Sequence, residues 1–182
     1  IATGLPIPLL AVQLLWLNLV TDGLQDLALS FEKGEKDVMK EKPRDPKQPL
    51  FDKLLAQEII ISGLFIGLIV YGVWVFLLKY VHMDEAVARG YIMAMMVFMQ
   101  NIHVLNCRSE KQSAFKIKLF SNWFVPFAVF SSIGLQVLIM EVPFLSEIMK
   151  THSISLDKML LLVLISLPII LVMEVFKAIK RK

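Results

Sequence analysis

Cysteine is almost absent from this sequence: Cys107 is the only one. A single thiol closes no intrachain disulfide and builds no thiolate metal cluster. At the end of a predicted helix it reads as a small packing residue. Histidine is scarce as well, with three in the chain; His82 and His152 fall in polar connections, which leaves His103 inside an apolar stretch. Charge of one sign is lacking too. The net charge is +3, a surplus too small to point to nucleic acid. No segment is polar for long enough to form a soluble domain, and no period of about 20–50 residues repeats. The apolar runs do not alternate over about 10 residues as barrel strands do, which excludes that architecture. No charged leader or cleavage site precedes the first apolar run, so it does not read as a signal peptide. With Ile1 at the first position, the expectation is the C-terminal part of a longer membrane protein.

What is abundant is hydrophobicity. Apolar residues make up 57% of the chain and its mean hydropathy is +0.67, against about 45–50% apolar for soluble domains. A bilayer core takes roughly 20 mostly apolar residues per helix, and five stretches qualify, at about 5–30, 54–81, 87–106, 122–140 and 157–177. The expected fold is therefore an all-α membrane protein, a single domain over 1–182 built as a five-helix transmembrane bundle. Lys33, Lys36, Lys40, Lys42, Arg44, Lys47 and Lys53 lie in the loop 32–53; Arg108, Lys111, Lys116 and Lys118 follow the third span; Lys177, Lys180, Arg181 and Lys182 end the chain. With five alternating spans these share one side, so the positive-inside rule puts both loops and the C-terminus in the cytoplasm. Pro43, Pro46 and Pro49 push their preceding residues out of the helical region, which predicts an extended loop. The short VHMDEA link predicts an antiparallel hairpin, and EVPFLSEIMKTHSISLD is read as an outer loop. Trp123 is placed as an interfacial anchor, and Pro168 predicts a kink in the last span. Glu174 is expected to pair with Lys177 at i, i+3, and KAIKRK to snorkel at the membrane edge.

The anomaly is NLVTDG at 18–23. Asn18, Thr21 and Asp22 are spaced i, i+3, i+4 on one predicted helix face, and Gln25 and Asp26 continue the stripe. An ionised Asp at mid-bilayer costs on the order of 2.5–3.5 kcal/mol and persists when it pairs, meets water or binds a cation. No Lys or Arg lies deep in any span to pair with it. Amide, hydroxyl and carboxylate oxygens are the ligands hard cations prefer. Gly23 would let the turn loosen and free carbonyls, as in the broken helices of transporters. The alternative is interhelical glue. In the third span Gln100 and His103 are offered at i, i+3 as partners, with Asn101 facing elsewhere. Met93, Met95, Met96 and Met99 read as adaptable packing.

QLLWLNLVTDG, then DVMKEKPRDPKQPL, LNCRSEKQS and ISLP…E..K in that order, resemble the C-terminal transmembrane region of P-type cation ATPases, nearest the calcium-pump and sodium/potassium-pump branch. The resemblance implies the sixth to tenth helices of a ten-helix pump, with Asn18, Thr21 and Asp22 as cation ligands. It implies that ATP and Mg²⁺ are used by upstream domains; no DKTGT occurs in the chain, so this segment binds no cofactor of its own and should not hydrolyse ATP. The implied partners are the lipid bilayer, upstream transmembrane helices and the cytoplasmic phosphorylation domain, the last meeting the loop at 32–53. Gln100 stands where two-site calcium pumps carry a glutamate and where plasma-membrane-type pumps carry glutamine. That implies one Ca²⁺ per cycle and a plasma-membrane location. His103 stands where sodium/potassium pumps place an Asp. Gln25 and Asp26 replace the usual Pro-Ala, which adds a carboxylate near a cytoplasmic gate. A pump for Na⁺/K⁺, Mn²⁺ or Mg²⁺, or a secondary cation/proton carrier, are the alternatives.

Overall fold

A computed structural model describes residues 4–34, 52–109 and 112–180. The expectations for the prolines and lysines of 35–51, and for Lys111, Arg181 and Lys182, lie outside the described residues. Within them the protein is helical and carries no strand.

The chain enters through a non-helical stretch, residues 5–10, bent at Pro8, where Pro6 and Pro8 cannot donate a helical N–H. The helix starts at Ala11, later than the apolar run itself. The Leu10 N–H donates to Gln13 Oε1 at 2.9 Å, half of a capping box. From there one continuous rod runs as α1 (Ala11–Leu17), a widened π-helical segment (Asn18–Gly23) and α2 (Leu24–Ser30). At 1.5 Å per residue it is on the order of 30 Å long. The long α3 (Lys53–Lys79) is capped by Asp52, which accepts the Leu55 N–H at 2.8 Å. A tight turn leads into α4 (Glu85–Cys107), where Asp84 accepts the Ala86 N–H at 2.8 Å. Two single 3₁₀ turns, Ala114–Lys116 and Leu119–Ser121, lead to α5 (Phe124–Glu141).

The segment read as an outer loop contains a helix, α6 (Pro143–Met149). Pro143 occupies the first turn, where its missing N–H goes unneeded, and Lys150 ends the helix at φ 49°. The last crossing is divided into α7 (Leu156–Ser166) and α8 (Pro168–Lys180). The interruption falls at Leu167, whose N–H reaches Val163 O and Leu164 O at 3.1 and 3.3 Å.

Among the described residues three helices are long and apolar enough to cross a membrane: Lys53–Lys79, Phe124–Glu141 and Leu156–Lys180. The first of these has two faces: Phe65, Ile66, Ile69, Val70 and Val73 pack against the core, while Ile59, Ile60, Leu64, Leu68 and Tyr71 are exposed. The middle of the bundle is α4, which packs against α1, α2, α3, α5, α7 and α8. Ala88, Ile92, Met93, Met95, Val97 and Met99 are fully buried there, with Trp74 of α3 beside them. The methionines thus act as packing residues.

Buried charges tie the end of the bundle where α2 finishes. Arg108 donates to both carboxylate oxygens of Glu32 at 2.9 Å, and Asn122 Nδ2 donates to Glu32 at 3.1 Å and to Ala28 O at 2.9 Å. Lys177 does not snorkel. It is 1% exposed, and its Nζ donates to the carbonyls of Asn106, Ser109 and Gln112 at 2.6, 2.5 and 3.3 Å. A cation there meets the carbonyl-rich C-terminal end of α4. Glu174 accepts the Ala114 N–H at 2.7 Å. Trp123, placed as an anchor, is exposed beside Phe120 with ring centroids 4.6 Å apart.

Candidate cation site

The six residues NLVTDG form the π-helical segment. Such a widening inserts a residue into the helical register and recurs at functional sites. Glycine at its end leaves room: a Cβ on Gly23 would meet only the Asn18 carbonyl, at 3.5 Å. The loosened turn expected from Gly23 is therefore present, without a chain break.

The widening separates the side chains that simple spacing puts together. Asn18 and Asp22 are exposed, while Thr21 is fully buried. Thr21 Oγ1 donates to Leu17 O at 2.6 Å and lies 3.4 Å from Asp22 Oδ1. Thr21 thus bonds to its own helix and touches the carboxylate only at its edge. Gln100 of α4 reaches across, its Nε2 3.4 Å from Asp22 Oδ1, a long contact by hydrogen-bond standards. Gln100 Oε1 is buried and has no hydrogen-bond partner among the described residues. Among those residues no Lys or Arg pairs with Asp22. Asp22 thus presents an exposed carboxylate to which Gln100 turns its amide nitrogen, and Asn18, one turn earlier, is exposed as well.

Asp26 is exposed one turn further along α2. Gln25, expected on the same stripe, is buried instead and donates to Asn101 Oδ1 at 2.8 Å. Asn101, read as facing elsewhere, is the α4 residue that meets this helix directly. His103 does not join Asp22. It lines a separate cavity of about 110 Å³ between α3, α4 and α8, with Glu58, Ser62, Asn106 and Cys107. Among the described residues no three His, Cys, Asp or Glu side chains converge in a metal-binding group. The oxygens around Asp22 are one carboxylate and neutral groups, a set suited to a hard cation only when further ligands complete it.

At the opposite end of the rod, polar side chains fix its entry. Gln13 Nε2 donates to Met149 O at 3.1 Å, Trp16 Nε1 to Gln136 Oε1 at 3.0 Å, and Trp74 Nε1 to Pro6 O at 3.1 Å. None of these bonds was legible from spacing. Their only sequence signal was a Gln or Trp inside an apolar run, since such groups take a partner when buried.

Comparison with known proteins places this arrangement. The family described as cation transporting ATPase, C-terminus, matches residues 6–179. The chain is 40% identical over 154 residues to a calcium-transporting ATPase of Bacillus subtilis, covering 84% of this chain and 17% of that protein. It is 31% identical over 196 residues to calcium-transporting ATPase 1 of Bacillus cereus, covering 100% and 22%. It is 31% identical over 178 residues to calcium-transporting ATPase type 2C member 1 of Homo sapiens, covering 97% and 19%. The chain spans about a fifth of the length of these relatives. On the family match and on these identities, the chain belongs to the C-terminal domain family of the P-type cation-transporting ATPases.

Proposed function

We propose that the chain is the ion-binding and translocating membrane part of an ATP-driven cation pump, with Ca²⁺ as cargo and one ion carried per cycle. The observation that carries this reading is Asp22: a carboxylate on a widened turn in the middle of an apolar rod, with no cationic partner among the described residues. Gln100 turns its amide nitrogen toward it, and Asp22 and Asn18 are both exposed. Helices of the parent protein would cover them and complete the ligand set. Thr21 contributes through its edge contact with Asp22, and Asp26 lies toward the cytoplasmic gate. His103 stands outside the set, in its own cavity. Calcium is supported by the relatives, which are calcium-transporting ATPases. Stoichiometry follows from Gln100: an amide in place of a carboxylate removes the charge a second divalent ion would need.

In this reading the rod Ala11–Ser30 and α4 also cross the bilayer, giving five spans. Both basic loops and the C-terminus face the cytoplasm. ATP and Mg²⁺ act on domains beyond this chain, and the membrane is the plasma membrane, on the strength of the glutamine at Gln100. The test is Asp22→Asn in the intact pump. Cation-stimulated phosphorylation from ATP is lost, while phosphorylation from inorganic phosphate persists. Unchanged cation-stimulated phosphorylation would remove Asp22 from the site. Activation by Na⁺ and K⁺ alone, in a panel with Ca²⁺, Mn²⁺ and Mg²⁺, would overturn the calcium assignment.

A further inference from the structure

Gln25 follows Asp22 by three residues yet turns the other way, into the bundle, where it is 7% exposed. Its Nε2 donates to Asn101 Oδ1 at 2.8 Å. Ser132 of α5, fully buried, places its Oγ 2.7 Å from the same oxygen. Two donors from two helices therefore converge on one carbonyl oxygen of α4, while Asn101 Nδ2 is buried without a partner among the described residues. Just beyond, Ala28, Val104, Val125 and Ala128 form an apolar cluster. In such surroundings a polar network is strengthened, and an unmade bond is expensive.

Asn101 is the immediate neighbour of Gln100, the side chain that reaches Asp22. Side chains on a helix end about 5–6 Å from its axis. A 20° rotation of α4 would therefore carry the Gln100 amide about 2 Å, enough to separate it from a carboxylate now 3.4 Å away. The bond from Gln25 to Asn101 opposes that rotation from the same helix that carries Asp22.

We infer that Gln25 is a positioning residue of the cation site: with Ser132 it holds Asn101, and through Asn101 it sets the angle at which α4 presents Gln100 to Asp22. The inference rests on the pump reading above. It assigns to Gln25 no contact with the ion.

The experiment uses the intact pump, with Ca²⁺ as the probe and half-saturating Ca²⁺ and maximal ATPase rate measured separately. Gln25→Leu keeps the bulk and removes the donor; Ser132→Ala removes the second donor. Each raises half-saturating Ca²⁺ about fivefold, the equivalent of about 1 kcal/mol for one buried hydrogen bond. Maximal rate stays at the wild-type value, and melting falls only slightly, as one unmade buried bond requires. Gln25→Leu combined with Asn101→Leu is no worse than Asn101→Leu alone, because the two act through one bond. Unchanged half-saturating Ca²⁺ in Gln25→Leu overturns the inference, as does a collapse of melting in both donor variants, which would make the network a packing device only. A wild-type pump that no Ca²⁺ concentration activates instead overturns the calcium pump reading, and the inference with it.

Discussion

Replacing Arg108 by Ala tests whether the buried charge clamp holds the end of the bundle. The guanidinium is 2% exposed and the Glu32 side chain 14%; two contacts of 2.9 Å join them. Arg108 also donates to Ser121 Oγ at 2.7 Å. Removing one member of a buried pair costs about 3–5 kcal/mol, because the other charge is left without its counter-ion. Here Asn122 still donates to Glu32 and the carboxylate sits at a partly wet rim, so Arg108→Ala should cost about 2–3 kcal/mol. Burial alone would raise the Glu32 carboxyl; the hydrogen bonds from Arg108 and Asn122, with the charges of Arg108 and Lys33, outweigh it and hold the group below its ordinary value of 4.5. A carboxyl held low in the folded state contributes stability above its unfolded value, and that contribution is lost as pH falls through the folded value. In Arg108→Ala only Asn122 and Lys33 oppose the effect of burial, so the gap from wild type is widest near neutral pH and narrows as pH falls below 4.5. Thermal melting of the detergent-solubilised intact protein at pH 7.5 and 4 measures both effects. Glu32→Leu combined with Arg108→Leu should recover most of the loss. A single variant that melts with wild type at pH 7.5 would refute the reasoning, as would a double variant that loses the sum of two singles.

Lys177→Met should lower stability by about 1–3 kcal/mol, since the carbonyls of Asn106 and Ser109 lose their buried donor; melting that does not change would show that Lys177 is replaceable bulk. Gly23→Ala should express and melt at or slightly above wild type. The new Cβ meets only ordinary contact at 3.5 Å, and glycine inside a helix costs about 0.5–1 kcal/mol relative to alanine. A clear drop in melting would mean that the widened turn needs glycine itself.

Much of the site was visible as composition: an acid, two amides and a hydroxyl within an apolar run. Their grouping was only partly visible, because the i, i+3, i+4 argument assumes an even angular step and the π-helical segment does not keep it. Asn18 and Asp22 are both exposed, Thr21 bonds inward to Leu17 O, and Gln25 turns into the bundle. The buried cations were missed for a different reason. Arg108 and Lys177 look like ordinary loop and tail charges until tertiary packing brings Glu32 and the end of α4 to them. Helix α6 went unread although Pro143 at its first turn was a usable start signal, since a helix of seven residues leaves little periodicity to detect.

The interruption before Pro168 gives the last crossing the geometry of a lever. From Pro168 to Lys177 the helix extends roughly 14 Å at 1.5 Å per residue. A 20° change of helix direction there would swing the ammonium by about 5 Å. Its seat on the carbonyls of Asn106 and Ser109, at 2.6 and 2.5 Å, has no such slack. The helix direction at Pro168 therefore decides whether the distant end of α8 reaches its socket, and a defect at position 168 would be felt first at α4.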